Sequence, residues 1–217
     1  MKKGFTLAEV LITLVIIGVV SALTVPVLMQ NTQKQEYVSA LKKAYSVLSQ
    51  VTNQIIAEEG SPRGDSGGWA DSVDNVYNLY KKHLSNAKEC GAAEGCFPQK
   101  NVRWLAGGLE YNDNRDDSRY RNLILADGMQ LGFLWLSPSC QFTPSGDVNA
   151  GGCFGIMIDV NGPKQPNTIG RDIFGVYVTE SGGLKPNGST TDGSSCNKNS
   201  HGWGCTYKVL TEGAMNY

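Results

Sequence analysis

The sequence predicts an α+β protein in which a long N-terminal helix packs on an antiparallel β-sheet head that is loop-rich and stapled by disulfides. Two observations predict the helix: an uncharged apolar run opens the chain, and an amphipathic stripe with helical spacing follows it. A third predicts the head, because short apolar segments between turn residues are typical of strands. The chain also has 26 glycines and six cysteines among 217 residues, which favours a turn-rich, cross-linked body.

The apolar run extends from Val10 to Met29 and contains no charged residue. As a helix it would be about 30 Å long, the hydrocarbon thickness of a bilayer. Lys2 and Lys3 precede it, which predicts that the N-terminus stays on the cytoplasmic side. We therefore expect a single-pass membrane protein whose head lies outside the cytoplasm.

Three kinds of segment begin in this way: a signal peptide, a plain anchor, and an anchor that forms filaments. A signal peptide needs a short apolar core and a small-residue cleavage site, and Ser21-Ala22-Leu23 is a poor one. A plain anchor has no use for Glu9, the one ionisable side chain between Lys3 and Lys34. A carboxylate at the edge of an apolar span indicates a function.

Lys2-Lys3-Gly4, followed by Phe5-Thr6-Leu7-Ala8-Glu9-Val10-Leu11-Ile12, resembles the processing motif of type IV pilins and type II secretion pseudopilins. The resemblance implies that a prepilin peptidase cuts between Gly4 and Phe5. It also implies that Phe5 becomes the N-methylated first residue. The resemblance is close over roughly the first 55 to 60 residues and is only architectural beyond them.

The same resemblance assigns an assembly role to Glu9, which would pair with the N-terminal amine of a neighbouring subunit. An unpaired carboxylate in an apolar bundle is penalised by several kcal/mol, and an ammonium partner relieves much of this. The alternative is that Glu9 reaches the lipid headgroups. Gly18 and Pro26 match positions that weaken and kink the helix, and Pro26 predicts a kink near Ala22.

The second half of the helix is amphipathic and should form a spine against the head. Its predicted buried positions follow steps of three and four residues: Tyr37, Leu41, Ala44, Leu48, Val51 and Ile55. Gly60-Ser61-Pro62-Arg63-Gly64 should end it. The expected organisation is a leader at 1–4, a transmembrane and filament-core helix at 5–29, the spine at 30–59 and an α+β head at 60–217.

The head should contain one short helix and several strands. Asp71 is the expected cap of the helix, and Asp127-Gly128 the two-residue turn of a hairpin. A glycine- and serine-rich surface loop is expected from Gly182 to Gly204. The apolar helix positions are Val73, Val76, Tyr77, Tyr80 and Leu84, and the expected strands are Leu123–Ala126, Met129–Leu136, Phe154–Val160 and Ile173–Thr179.

The six cysteines form three close pairs, which favours the disulfides Cys90–Cys96, Cys140–Cys153 and Cys196–Cys205. Six cysteines admit 15 pairings, so spacing alone leaves the connectivity open. A zinc site formed by Cys196, Cys205 and His201 is the alternative, although it lacks a C-x-x-C spacing and a fourth ligand.

A second metal hypothesis concerns Asp159, Asn161 and Asp172, whose oxygens would suit calcium. Some pseudopilin heads bind calcium near the sheet, which encourages this hypothesis. The alternative is an Asn-Gly turn after a strand, with Asp172 bonded locally. No other cofactor is expected.

An enzymatic head is not expected. The chain has only two histidines, His83 and His201, and no G-x-S-x-G, H-E-x-x-H or phosphate-binding glycine loop. With 19 basic and 20 acidic residues, its net charge gives no reason to expect a nucleic-acid partner. A mixed-charge cluster is interpreted as a solvated loop; its members are Asp113, Arg115, Asp116, Asp117, Arg119 and Arg121.

The expected partners are other copies or other pilins in a filament, prepilin peptidase, an inner-membrane assembly platform and membrane lipid. The alternative is a minor pilin whose head binds DNA, a surface or a secreted substrate, with stacking by some of Trp69, Trp104, Trp135 and Trp203. A surface pilus, a secretion pseudopilus and a DNA-uptake pilus share this N-terminus, so the kind of filament, and whether the subunit is major or minor, stay open.

Overall fold

The structure, a computed structural model, describes residues 4, 6–84, 87–91, 96–97, 102–109, 120–135, 137–141, 151–188 and 196–217. The chain forms two compact units, Met1–Glu36 and Tyr37–Tyr217. A long N-terminal helix, a six-stranded antiparallel sheet and three disulfides define an α+β, pilin-like fold, which confirms the predicted fold class.

The long helix, α1, extends over Leu7–Glu59 and has 53 residues. Gly18 and Pro26 lie inside it, so neither residue ends it. Gly60, with φ of 82°, follows its last residue, in agreement with the predicted end. The predicted stripe is confirmed, since its six side chains are all buried and Leu41, Leu48 and Ile55 are 0% exposed.

A second helix, α2, covers Val73–His83 and packs its aromatic side against the same core. Its N-cap is Ser72, whose side chain accepts a hydrogen bond from the Asn75 backbone N–H. The prediction that Asp71 caps this helix is therefore wrong. Asp71 instead accepts from the Ser72 hydroxyl and the Asn75 amide, one position before the cap.

The sheet follows the chain order, and every neighbouring pair of strands is antiparallel. A last helix, α3, covers Cys205–Glu212. The strands are β1 Lys88–Gly91, β2 Tyr120–Ile124, β3 Gln130–Trp135, β4 Gly152–Asp159, β5 Ile173–Thr179 and β6 Leu184–Pro186.

The predicted surface loop from Gly182 to Gly204 requires a correction, because its first part is β6. Leu184 pairs with Val178 of β5 and is buried, and the Tyr45 hydroxyl of α1 donates to the Leu184 carbonyl. A strand of three residues is too short to show an alternating pattern, so only pairing with β5 reveals it.

The hairpin between β2 and β3 also differs from the prediction. The Gly128 N–H donates to the Leu125 carbonyl and the Leu125 N–H to the Met129 carbonyl, so the turn is longer than two residues. Gly128 adopts φ of 89°, the left-handed conformation that a bulge after such a turn requires. Asp127 lies within the turn and accepts from the Met129 N–H.

The two faces of the sheet bury different clusters. Phe133, Phe154 and Ile156 face the main core with α1 and α2. The opposite face carries a smaller cluster of Phe97, Val102, Met157, Ile169 and Ile173. Glycine allows aromatic rings to lie close to the sheet on that face, because a Cβ built on Gly175 would be 3.2 Å from the Trp203 ring.

The cysteines are joined in the three close pairs. Disulfides link Cys90 with Cys96, Cys140 with Cys153, and Cys196 with Cys205. The zinc hypothesis is therefore wrong, since the sulfurs of Cys196 and Cys205 are bonded to each other and are not available as thiolate ligands.

Candidate functional site

The start of α1 carries a reciprocal pair of hydrogen bonds between Thr6 and Glu9. The Glu9 carboxylate accepts from the Thr6 backbone N–H and hydroxyl, both at 2.8 Å, and the Thr6 hydroxyl accepts from the Glu9 N–H at 3.3 Å. This is a capping box, which satisfies N–H groups that a helix start leaves without partners. Gly4 is exposed and has open space around it, while Phe5 lies outside the described residues.

Sequence reasoning assigned Glu9 to assembly and missed its second partner, Thr6. The signal was present, because a threonine followed three residues later by glutamate before an apolar run is the signature of a capping box. Glu9 therefore has two separable properties, an oxygen that caps its own helix and a negative charge.

The apolar half of α1 is exposed along its whole length. All fifteen of its Leu, Ile, Val and Met side chains between Leu7 and Met29 are between 45% and 81% exposed. The hydroxyls of Thr13 and Thr24 bond to the carbonyls of Val10 and Val20, so they do not interrupt the apolar surface. Within the described residues, this is the one helix long and apolar enough to cross a membrane. A surface of this size requires lipid or other subunits to cover it.

The loop after β4 shows how the candidate calcium residues are arranged. Asp172 is 0% exposed and accepts from the backbone N–H groups of Asn167 and Thr168, at 2.8 and 2.6 Å. The Asn161 side-chain amide donates to Asp172 at 3.1 Å, and the Asn161 backbone N–H donates to Asp159 at 3.1 Å. Burial raises the pKa of Asp172 above its ordinary value, although these hydrogen bonds oppose the shift.

This geometry favours the hydrogen-bonded turn over a calcium site. A calcium ion requires oxygen lone pairs directed at one point, whereas hydrogen-bond donors surround the Asp172 carboxylate. The Asn161 amide nitrogen lies 3.1 to 3.2 Å from three oxygens, those of Tyr37, Gln165 and Asp172, and links the loop to α1. No cluster of three acidic, histidine or cysteine side chains suited to a metal occurs among the described residues.

The histidines do not form a catalytic arrangement. The His83 ring is close to Glu58, at 3.3 Å, which also pairs with Lys82. His201 lies against Trp104, with ring centroids 5.7 Å apart. A groove of about 340 Å³ lies beside His83, and its lining, within the described residues, contains no serine, threonine or cysteine. It is formed by Lys43, Ala44, Val47, His83, Leu84, Leu125, Ala126, Asp127 and Met129.

The tryptophans divide between core and surface. Trp69 is 4% exposed and donates from its ring to the Gly60 carbonyl, so it belongs to the core. Trp104 and Trp203 are partly exposed, whereas the side chain of Trp135 lies outside the described part of the chain. Within the mixed-charge cluster, Arg121 pairs with Asp74 of α2 at 2.7 Å, and residues 113–119 lie outside the description.

The comparison with family models agrees with this N-terminal geometry. Residues 1–25 match the prokaryotic N-terminal methylation motif. This motif is the prepilin signal of type IV pilins and pseudopilins, so it supports a pilin- or pseudopilin-like subunit. No curated protein and no solved structure matches the chain. The match ends within the apolar segment and therefore describes the anchor, whereas the head must be interpreted from its own residues.

Proposed function

We propose that the protein is a structural subunit, a pilin or pseudopilin, of a type IV pilus-like filament. It is anchored in the inner membrane before assembly, with its head outside the cytoplasm. The observation that carries this proposal is the methylation motif at residues 1–25, at the head of a helix whose apolar half is exposed and whose first turn holds one carboxylate, Glu9.

Processing converts this anchor into an assembly element. Prepilin peptidase removes residues 1–4, with both lysines, and Phe5 becomes the methylated N-terminus. Side-by-side packing of subunits then buries the new amine among apolar side chains, where it needs an opposite charge. Glu9 of a neighbouring subunit supplies that charge, and the same helix surface that contacts lipid before assembly contacts other subunits after it.

Each part of the chain has a role in this scheme. Residues 5–29 form the membrane and filament-core helix, residues 30–59 the spine, and residues 60–217 the head. The partners are copies of the protein or other pilins, prepilin peptidase and the assembly platform of the inner membrane. The mature filament is periplasmic or on the cell surface, and the role is structural rather than enzymatic.

A minor pilin whose head binds DNA, a surface or a secreted substrate is the alternative. It shares the anchor and its processing and differs only in what the head contacts. The feature that bears on this alternative is a positively charged surface of the head, defined in the next subsection as the three-loop surface. The experiment proposed for that surface includes a nucleic acid, which distinguishes a DNA-binding head from a lipid-docking one.

Mass spectrometry of the protein purified from membranes tests the proposal. The chain should begin at Phe5 and carry one added methyl group. Cells without prepilin peptidase are the control, and they should yield the chain with residues 1–4 still attached. An intact leader in peptidase-positive cells, or a start beyond Ala22, would overturn the proposed function.

A further inference from the structure

Three loops of the Tyr37–Tyr217 unit form one continuous surface, called here the three-loop surface: residues 102–109, 161–172 and 196–204. The Arg103 N–H donates to the Asn167 carbonyl, and the Ile169 N–H donates to the Arg103 carbonyl. The N–H groups of residues 105 and 106 donate to the carbonyls of residues 201 and 200. The Cys196–Cys205 disulfide closes the third loop. Backbone hydrogen bonds therefore hold the first loop to each of the other two.

The charge of this surface is one-sided. It carries Arg103, Lys164, Arg171 and Lys198, and its one acidic residue, Asp172, is buried and bonded within the loop. Arg103, Lys164 and Lys198 are exposed, and none of the four cations is in an ion pair within the described residues. By contrast, six lysines and arginines elsewhere on the unit have acidic partners: Lys43, Arg63, Lys81, Lys82, Arg121 and Lys208. In a chain with a net charge of −1, positive charge without an ion-pair partner among the described residues is thus concentrated here.

The same surface has an apolar tip. Leu109 is 58% exposed, and it is the one exposed large apolar side chain in the described part of the Tyr37–Tyr217 unit. Trp104, in the same loop, is partly exposed beside His201. Two backbone hydrogen bonds between Trp104 and the glycines 107 and 108 close the tip into a turn. A leucine and a tryptophan flanked by cations is the composition of a membrane–water interface.

The covalent chain limits how far the Tyr37–Tyr217 unit can lie from a bilayer that holds the anchor. The Asn161 amide donates to the Tyr37 hydroxyl at 3.1 Å. Tyr37 lies eight residues after Met29, the end of the apolar run. Eight residues reach at most about 28 Å. Tethering makes docking an intramolecular event, so weak contacts suffice.

We propose that the three-loop surface docks on anionic phospholipid headgroups of the membrane that holds the anchor, before the subunit enters a filament. The cations contact the phosphates while Leu109 and Trp104 enter the interfacial layer. Trp104 could also stack on bases, but the exposed Leu109 gives nucleic acid no stacking platform and favours the interfacial layer of a bilayer. This inference rests on the proposed membrane anchoring.

Fluorescence of the full-length chain in lipid nanodiscs tests the docking. All four tryptophans, at positions 69, 104, 135 and 203, lie outside the anchor helix. Lipids with brominated acyl chains quench tryptophan on contact, and comparison with Trp104→Phe isolates the signal of Trp104. One set of discs contains phosphatidylglycerol and the other only phosphatidylcholine, both brominated equally.

We expect Trp104 to be quenched in phosphatidylglycerol discs and not in phosphatidylcholine discs. The quenching should be lost near 1 M salt, where the Debye length is about 3 Å. Each lysine or arginine near an anionic membrane surface raises the equilibrium constant for membrane binding about fivefold. Removing three of them should therefore weaken docking on the order of 100-fold. The variant is Arg103→Gln/Lys164→Gln/Lys198→Gln, and the matched control is Lys82→Gln/Lys88→Gln/Lys185→Gln, which loses the same charge from exposed sites elsewhere.

Equal quenching in both lipids, no quenching in either, or the same loss in both triple variants would overturn the docking proposal. A single-stranded oligonucleotide is added to the phosphatidylcholine discs in a separate arm. Binding that the Arg103 triple variant loses, without any effect of phosphatidylglycerol, would assign the surface to nucleic acid and refute lipid docking. A chain that does not enter discs at all would instead refute the anchoring, which is a distinct failure.

Discussion

The two properties of Glu9 can be separated by substitution, because the structure shows which of them belongs to the helix itself. Glu9→Gln keeps a side-chain oxygen that can accept from the Thr6 N–H but removes the charge. Thr6→Val removes the hydroxyl of the capping box but leaves the Glu9 charge in place. Glu9→Val removes both, and Glu9→Asp keeps the charge on a side chain shorter by one methylene.

The expected magnitudes differ enough to decide between capping and pairing. Loss of an N-cap hydroxyl costs about 1 kcal/mol, confined to the first turn of α1. Burial of an amine without its partner costs several kcal/mol, repeated at every subunit. We therefore expect Thr6→Val to assemble, Glu9→Gln and Glu9→Val to assemble poorly or not at all, and Glu9→Asp to be intermediate. All four should insert in the membrane, because the Val10–Met29 run is unchanged.

The assay compares the amount of each variant in sheared filaments with the amount in the membrane fraction, using mass spectrometry to confirm that each is processed. Incorporation of the variant itself must be measured, since a minor subunit can enter filaments built mainly from another pilin. Normal incorporation of Glu9→Gln would refute charge pairing. Failure of Thr6→Val to match the wild type would show that capping, rather than charge, limits assembly.

Three further predictions concern a soluble chain of residues 30–217. Leu48→Ala should lower the free energy of unfolding, measured in urea, by about 3–5 kcal/mol, because Leu48 is 0% exposed. Leu109→Ala, at a 58% exposed position, is the control and should change it little. Equal losses would contradict the assignment of Leu48 to the core. Replacing Cys140 and Cys153 by serine should cost about 3 kcal/mol, since their disulfide closes a loop with a sequence separation of 13; an unchanged denaturation midpoint would count against it. Burial raises the pKa of Asp172, so this carboxyl group holds a proton more tightly in the folded protein than in the unfolded chain. The contribution of Asp172 to the free energy of unfolding is therefore greatest below about pH 4 and declines as the pH rises. The difference in unfolding free energy between wild type and Asp172→Asn should therefore decline as the pH rises above about 4, and a flat or rising difference would refute this.

Local patterns predicted the elements that depend on nearby residues. The stripe from Tyr37 to Ile55 repeats at helical spacing over several turns, so its burial was predictable. The strand at Ile173–Thr179 was also predictable from nearby residues, because it is a largely apolar run bounded by turn residues. Short elements lack this signal, and β1 and β6, with four and three residues, are defined by their pairing partners.

The detailed predictions were wrong where a residue, or a pair of neighbouring residues, suits more than one structural role. Asp71 and Ser72 are both suitable caps, and only the position of the first helical turn decides that Ser72 accepts from Asn75. The Asp-Gly pair fits more than one turn, and the register between Ile124 and Gln130 selects the longer one. Asp159, Asn161 and Asp172 suit either a metal or a turn, and the backbone N–H groups that approach Asp172 favour the turn.

The sequence by itself determined the apolar helix, its N-terminal methylation motif and the amphipathic spine, because each is encoded in residues within a few turns of one another and needs no distant partner. The tertiary structure alone decided which residues far apart in the chain share a surface. Arg103, Lys164 and Lys198 are dispersed over almost a hundred residues, and their loops meet only because long-range backbone hydrogen bonds join them. Charge patterns of that kind depend on chain topology, which periodicity cannot report.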